Sequence, residues 1–264
     1  MLQQHGYIRK ALFFLIVTSS LIAVTSKFSR KVPVPRVHPG FMLQGTRQSE
    51  IVVEVFLELN CKDSLDTWVI LKEMVAKYHK YEDRISVVVH MFPLPYHRCG
   101  FLTSQFWNLV LEINHDKVIG YMDAAFDNLD EFSNTATVNL TNEEIIINLA
   151  NLVESSTGLP AKGLLEDFDL YRKMTIVNWK HAAKRGVAGT PWYFVNGVAL
   201  TYPAEAISME AWDAIFEPLL QYTGSPLKKA DSSHLRPASS GSDRHIATFV
   251  FMTFLLLFLQ ISLE

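Results

Sequence analysis

Cysteine is scarce in this chain: Cys61 and Cys99 are the whole complement. Two are too few for a disulfide scaffold, a zinc finger or an iron–sulfur cluster. Charge is sparse as well, at 19% of residues with a formal net charge of -3, which excludes a basic nucleic-acid binder. No metal site is expected, because the nine histidines form no cluster with ligand spacing. What the chain does have is apolar bulk. It is 49% hydrophobic and 12% aromatic, the opposite of a disordered composition. Its 264 residues leave room for one large domain or two small ones. The mean hydropathy of +0.13 overstates the greasiness of the middle, because both ends are apolar.

Those ends read as addresses. Arg9-Lys10, an apolar run from Ala11 to Val24 and then Thr25-Ser26 make the pattern of a secretory signal peptide, residues 1–26. The alternative is an uncleaved signal anchor, since Lys27, Arg30, Lys31 and Arg36 follow the run. Residues 27–49, with Pro33, Pro35 and Pro39, are expected to be an extended lead-in. Residues 225–245 form a polar linker, and 246–263 an apolar segment with only Glu264 beyond it. That segment is either a GPI-attachment signal or a transmembrane tail. Both place the globular part in the secretory pathway, on a lumenal or extracellular face, attached to a membrane. In that setting Asn139-Leu140-Thr141 is the one N-glycosylation sequon, and Cys61 and Cys99 are permitted to pair.

The body alternates in period. Ile51–Leu59 is β-branched and apolar, a buried strand. Ser64–Tyr78 carries apolar residues at helical spacing, and Ile85–Phe92 is a second buried strand. Together they make a βαβ unit with parallel strands. Helices are expected at Thr103–Ile113, Val118–Phe126, Glu143–Ser155 and Leu164–Arg185, the third opened by a capping box of Thr141 and Glu144. Strands return at Pro191–Val195 and Val198–Leu200 around Asn196-Gly197, a hairpin signal, before an amphipathic helix at Ser208–Leu220. The fold class is α/β. A thioredoxin-like core (βαβ…ββα) occupies 50–100 and 186–224, with an all-helical domain inserted at 101–185.

In such a core the first strand delivers Cys61 to the first helix at the carboxyl edge of the sheet, where reactive sites of open α/β sheets gather. A thiol there faces unpaired N–H groups and the positive end of the helix, and Lys62 stands beside it. Gly189-Thr190-Pro191 opens the hairpin, where a cis proline would turn the Thr190 backbone toward an extended peptide. A trans proline starting a strand is the plainer alternative. Residues 50–224 resemble the DsbA branch of the thioredoxin superfamily. The resemblance rests on VEVFLELNCKDS, HMFPLPYHRCGF, the stretch ending HAAKRGV, and GTPWYFVNG, in that order. It implies thiol–disulfide oxidoreduction with Cys61 as nucleophile and Thr190 and Pro191 as the substrate-binding platform. Where the family has a second, resolving cysteine this chain has Ser64, making a CxxS variant.

Three functions follow. One is a monothiol oxidoreductase or isomerase acting on protein cysteines, with Cys99 or an external thiol such as glutathione to resolve adducts. The second is a redox-inactive module that binds extended polypeptides or partners. The third is a glutathione-dependent transferase using Ser64. No cofactor is expected beyond glutathione as a co-substrate, and the partners are cysteine-containing or extended polypeptide clients and the membrane. His90 reads as a satisfied core or edge histidine, and Cys99 as a free or structurally paired one.

Overall fold

Seven residues, IVVEVFL, explain the centre of the molecule: β2 (Ile51–Leu57) is apolar enough to be flanked by strands and covered on both faces. The structure, a computed structural model, describes residues 38–200 and 207–222. The expected signal peptide, linker and C-terminal segment lie outside the described residues. Among the described residues no helix is long and apolar enough to cross a membrane.

The sheet has five strands in the order β1 (Phe41–Gln44), β3 (Ile85–Met91), β2, β4 (Trp192–Val195) and β5 (Val198–Ala199). β2 runs parallel to β3 and is joined to it through α1 (Lys62–Tyr78), the expected βαβ unit. On its other side β2 pairs antiparallel with β4, which turns through Asn196-Gly197 into β5. Both turn residues have positive φ, 49° and 79°, as a two-residue hairpin loop requires. The outer strand β1 pairs antiparallel with β3. Part of the stretch read as a lead-in is therefore extended, as expected, but belongs to the sheet.

The insertion is helical throughout: α2 (Gly100–Ile113), α3 (Val118–Asp127), α4 (Asn142–Thr157), α5 (Ala161–Asp167) and α6 (Arg172–Lys184), with short 3-10 turns between. Thr141 and Glu144 form the expected capping box, and Gly158 ends α4 in the left-handed region. The single helix expected over 164–185 is instead two, separated by a 3-10 turn at Phe168–Tyr171. That turn lets Phe168 bury against Phe106 and lets its carbonyl accept from Gln105 Nε2.

Each face of the sheet has its own cover. Tyr193 of β4 meets Thr67 of α1 at 2.8 Å and stacks edge-on against Trp212 of α7 (Met209–Gln221). Asp213 of α7 accepts from both Lys77 and Tyr78, tying the two helices together. The opposite face carries Glu54, Phe56, His90, Phe92 and Phe194 and is covered by α6. The thiol site lies at the carboxyl end of this second face.

Candidate active site at Cys61

Cys61 is the N-cap residue of α1, with extended backbone. Its Sγ lies 3.4 Å from the Thr190 carbonyl oxygen, to which the thiol donates. The Thr190-Pro191 bond is cis. Two segments 129 residues apart in sequence thus meet at the position expected of nucleophile and platform. Cys61 is 6% exposed and packs in one apolar cluster with Phe56, Phe92, Leu94, Ala182, Val187 and Phe194. Two buried polar atoms stand on the platform without a hydrogen-bond partner among the described residues, Thr190 Oγ1 and Trp192 Nε1.

Ser64 is in place but otherwise engaged. It is fully buried, and its Oγ accepts from the Glu58 N–H at 3.1 Å. The hydroxyl closes the turn that leads into α1, since the Glu58 carbonyl in turn accepts from the Cys61 N–H at 3.2 Å. Cys99 is the N-cap of α2 and is fully buried. Its Sγ faces Thr137 Oγ1 at 3.8 Å in the helical insertion, and burial pushes its thiol pKa up despite that contact and nearby Arg98. The pairing that the sequence permitted is not formed: both cysteines are free, and each meets a different partner. Asn139 is exposed in the turn before α4, as a usable sequon requires.

Sequence reasoning passed over Glu58, which sits three residues before Cys61 and is fully buried. Oε1 accepts from the Leu94 N–H at 2.8 Å, and Oε2 is hydrogen-bonded to His97 Nδ1. Burial lifts its carboxyl to about 7, outweighing the His97 and Leu94 hydrogen bonds that pull the other way. Gly100 opens α2 directly against it, where any Cβ would collide with Oε1. A cavity of about 420 Å³ adjoins, lined by Leu94, His97, Phe101, Ile176 and Trp179 among others. The one available signal was an acidic residue directly before the Cys61 turn, inside an apolar run.

A second polar cluster lies farther along the same sheet face. Glu54, His90 and His181 bring ligand-type atoms within 4.8 Å of one another, a trio that spacing in the sequence conceals. A cation already occupies its centre of charge: Arg185 donates to both Glu54 oxygens at 2.5 and 2.6 Å and lies 4.1 Å over the Phe194 ring. A metal ion there would face that guanidinium, so the residues present do not fit one. His90 is buried, bonded to Glu54 at 3.2 Å and stacked on Phe56, a core histidine as expected.

No protein-family model matches the chain, and no curated protein sequence does. Solved structures do match. One is a candidate protein-disulfide isomerase from Pseudomonas syringae, 19% identical with a TM-score of 0.52, covering 63% of this chain and 93% of that one. Another is ScsC from Proteus mirabilis in a transitional conformation, 14% identical with a TM-score of 0.50, over 83% of this chain and 95% of that one. At such identities the likeness is one of fold. The shared fold is a thioredoxin-like core with a helical insertion.

Proposed function

We propose that the protein is a thiol–disulfide exchange enzyme of monothiol type that acts on polypeptide cysteines through Cys61. The observation that carries this reading is the Cys61 thiol at the start of α1, 3.4 Å from the Thr190 carbonyl of the cis Thr190-Pro191 platform. The Cys61 thiolate attacks one sulfur of a client disulfide. The client S–S bond breaks, a Cys61–client S–S bond forms, and the client's other sulfur leaves as a thiolate. A different cysteine of the same client then attacks the client sulfur of the adduct. Cys61 departs as a thiolate, and the client keeps a new disulfide. This isomerisation transfers no net electrons, so one cysteine suffices and no oxidant is needed. Glutathione thiolate attacking the same client sulfur gives the other exit, leaving a client–glutathione disulfide. Ser64 and Cys99 take no part in either route, because the first is bonded to Glu58 and the second to Thr137. The terminal signals read in the sequence support a setting in the secretory pathway, on a membrane-attached protein.

The burial of Cys61 favours a second reading, a binding module that holds extended polypeptides on Thr190-Pro191 without chemistry. The detergent-solubilised full chain, incubated with a peptide containing one intrachain disulfide and quenched in acid, separates the two by mass spectrometry. Exchange predicts a peptide adduct on Cys61, lost in Cys61→Ser and retained in Cys99→Ser. No adduct on the wild type, with the peptide still bound, would establish the binding module instead.

A further inference from the structure

The wall beside Cys61 is the connection from Pro93 to Cys99, between β3 and α2. Leu94 of this connection packs in the same apolar cluster as Cys61, and Tyr96 stands 61% exposed with its phenol within electrostatic reach of Cys61, Glu58 and Asp63. Glu58 ties the connection to the Cys61 turn by hydrogen bonds. The Glu58 backbone holds the turn, through its N–H to Ser64 and its carbonyl to Cys61. The Glu58 side chain holds the connection, through the Leu94 N–H and His97. From the far side Asn134 Nδ2 donates to the Tyr96 carbonyl, and its Oδ1 accepts from the Arg98 N–H.

We propose that the Pro93–Cys99 connection is the gate to Cys61, that the buried Glu58 side chain is its latch, and that ionising Glu58 releases it. The inference rests on the exchange function only for its consequence, access to the thiol. A carboxyl sealed from water is at ease while protonated and is penalised once charged. Opening the connection hydrates Glu58 and returns it toward ordinary carboxylate behaviour. Proton linkage then fixes the direction: between the ordinary carboxylate value of 4.5 and the closed-state value of about 7, each pH unit shifts the balance toward the open form, and above about 7 the shift is complete. The titratable groups around Glu58 are His97 and Tyr96 on the connection and Cys61 on its own turn. α1 presents the Ser64 hydroxyl, and α2 presents Gly100, which carries no side chain. Closed, the gate keeps Cys61 only 6% exposed; open, it admits a client.

The test is amide hydrogen exchange by NMR on the full chain in detergent, corrected for intrinsic rates. The Leu94 N–H, donated to Glu58, is the reporter, and the Asn196 N–H, donated to Val52, is the control. Leu94 protection should fall by up to about tenfold per pH unit between about pH 4.5 and 7 and level off above that, while Asn196 protection stays level throughout. In Glu58→Gln, which keeps an acceptor for Leu94 but never ionises, Leu94 protection should be level too. Gly100→Ala, whose methyl displaces Oε1, should leave Leu94 poorly protected at every pH. Protection of Leu94 that does not change with pH in the wild type overturns the latch without recourse to any variant, and so does an unchanged pH dependence in Glu58→Gln. Should the latch titrate while the peptide disulfide still forms no Cys61 adduct at any pH, the gate stands and the exchange function fails.

Discussion

Two glutamates stand four residues apart on one strand and its exit, share one face of the sheet, and have moved in opposite directions. Glu54 is pulled down to about 2: burial raises it, but hydrogen bonds from His90 and Arg185 outweigh that penalty. Glu58 is lifted to about 7, because its burial is deeper and no guanidinium among the described residues pairs with it. The residue type is the same and burial raises both; how deep the burial goes and which partner answers it decide the sign. Around Glu54 the neighbouring imidazoles are held neutral. Burial lowers both, His181 to about 4, and Arg185 pushes them the same way. That end of the face is a fixed ion pair at every physiological pH. The Cys61 end carries a carboxyl able to change charge near neutrality, beside a buried thiol. A rigid end and a responsive end thus share one layer of the fold.

Removing the cation from the rigid end should have the largest effect. Arg185→Met leaves the Glu54 charge on a largely buried carboxylate and should cost about 3 kcal/mol at pH 7, read by urea unfolding. The pH dependence should invert as well. In the wild type Glu54 lies below its ordinary value, so its stabilising contribution is present above about pH 4.5 and is lost as the pH falls toward about 2. In the variant Glu54 should behave as Glu58 does, with stability declining as the pH rises from about 4.5 toward about 7. A variant that retains the wild-type acid limb would break the comparison.

Glu58→Gln should move stability the other way. A carboxyl raised in the folded state stabilises the fold below its unfolded value, and that contribution is lost as the pH rises through about 7. The amide keeps an acceptor for Leu94 and removes the buried charge, so the variant should be more stable than wild type by about 2 kcal/mol at pH 8. At pH 5 the two should coincide. Equal effects at both pH values would mean that Glu58 is already hydrated and that the two glutamates differ less than their surroundings imply.

The fold was far more legible than this contrast. β-branched runs, the Asn196-Gly197 turn and the Thr141–Glu144 capping box announce their elements locally, and each element formed within a few residues of expectation. Cys61 and Thr190-Pro191 were legible because the order of elements assigns them adjacent places. Phe41–Gln44 was not, since four residues after a proline-rich stretch become a strand only by pairing with β3. The break at Phe168–Tyr171 was hidden because α5 and α6 share one continuous helical period. The glutamates were hidden for the most physical reason. Inside IVVEVFLEL a carboxylate is only an interruption of an apolar strand until its partner is known, and Arg185 is 131 residues from Glu54. A charge state belongs to a tertiary neighbourhood, whereas a strand belongs to its own sequence.

The smallest effect expected bears on how the responsive end is held. Among the described residues no guanidinium meets Glu58 as Arg185 meets Glu54; backbone and hydroxyl hydrogen bonds organise the turn, and Ser64 supplies one of them from the helix. Ser64→Ala leaves the buried Glu58 N–H without its acceptor and should cost about 1 kcal/mol. The cost should be the same at pH 5 and pH 8, because a hydroxyl does not titrate in that range. Exchange at Cys61 with the peptide disulfide should remain within about twofold of wild type once the folded fraction is accounted for. That level result would separate Ser64 from Glu58: one organises the turn, and the other senses the proton. A loss of adduct well beyond the loss of folded protein would instead place the Ser64 hydroxyl in the chemistry. The turn and the thiol would then have to be read as a single site.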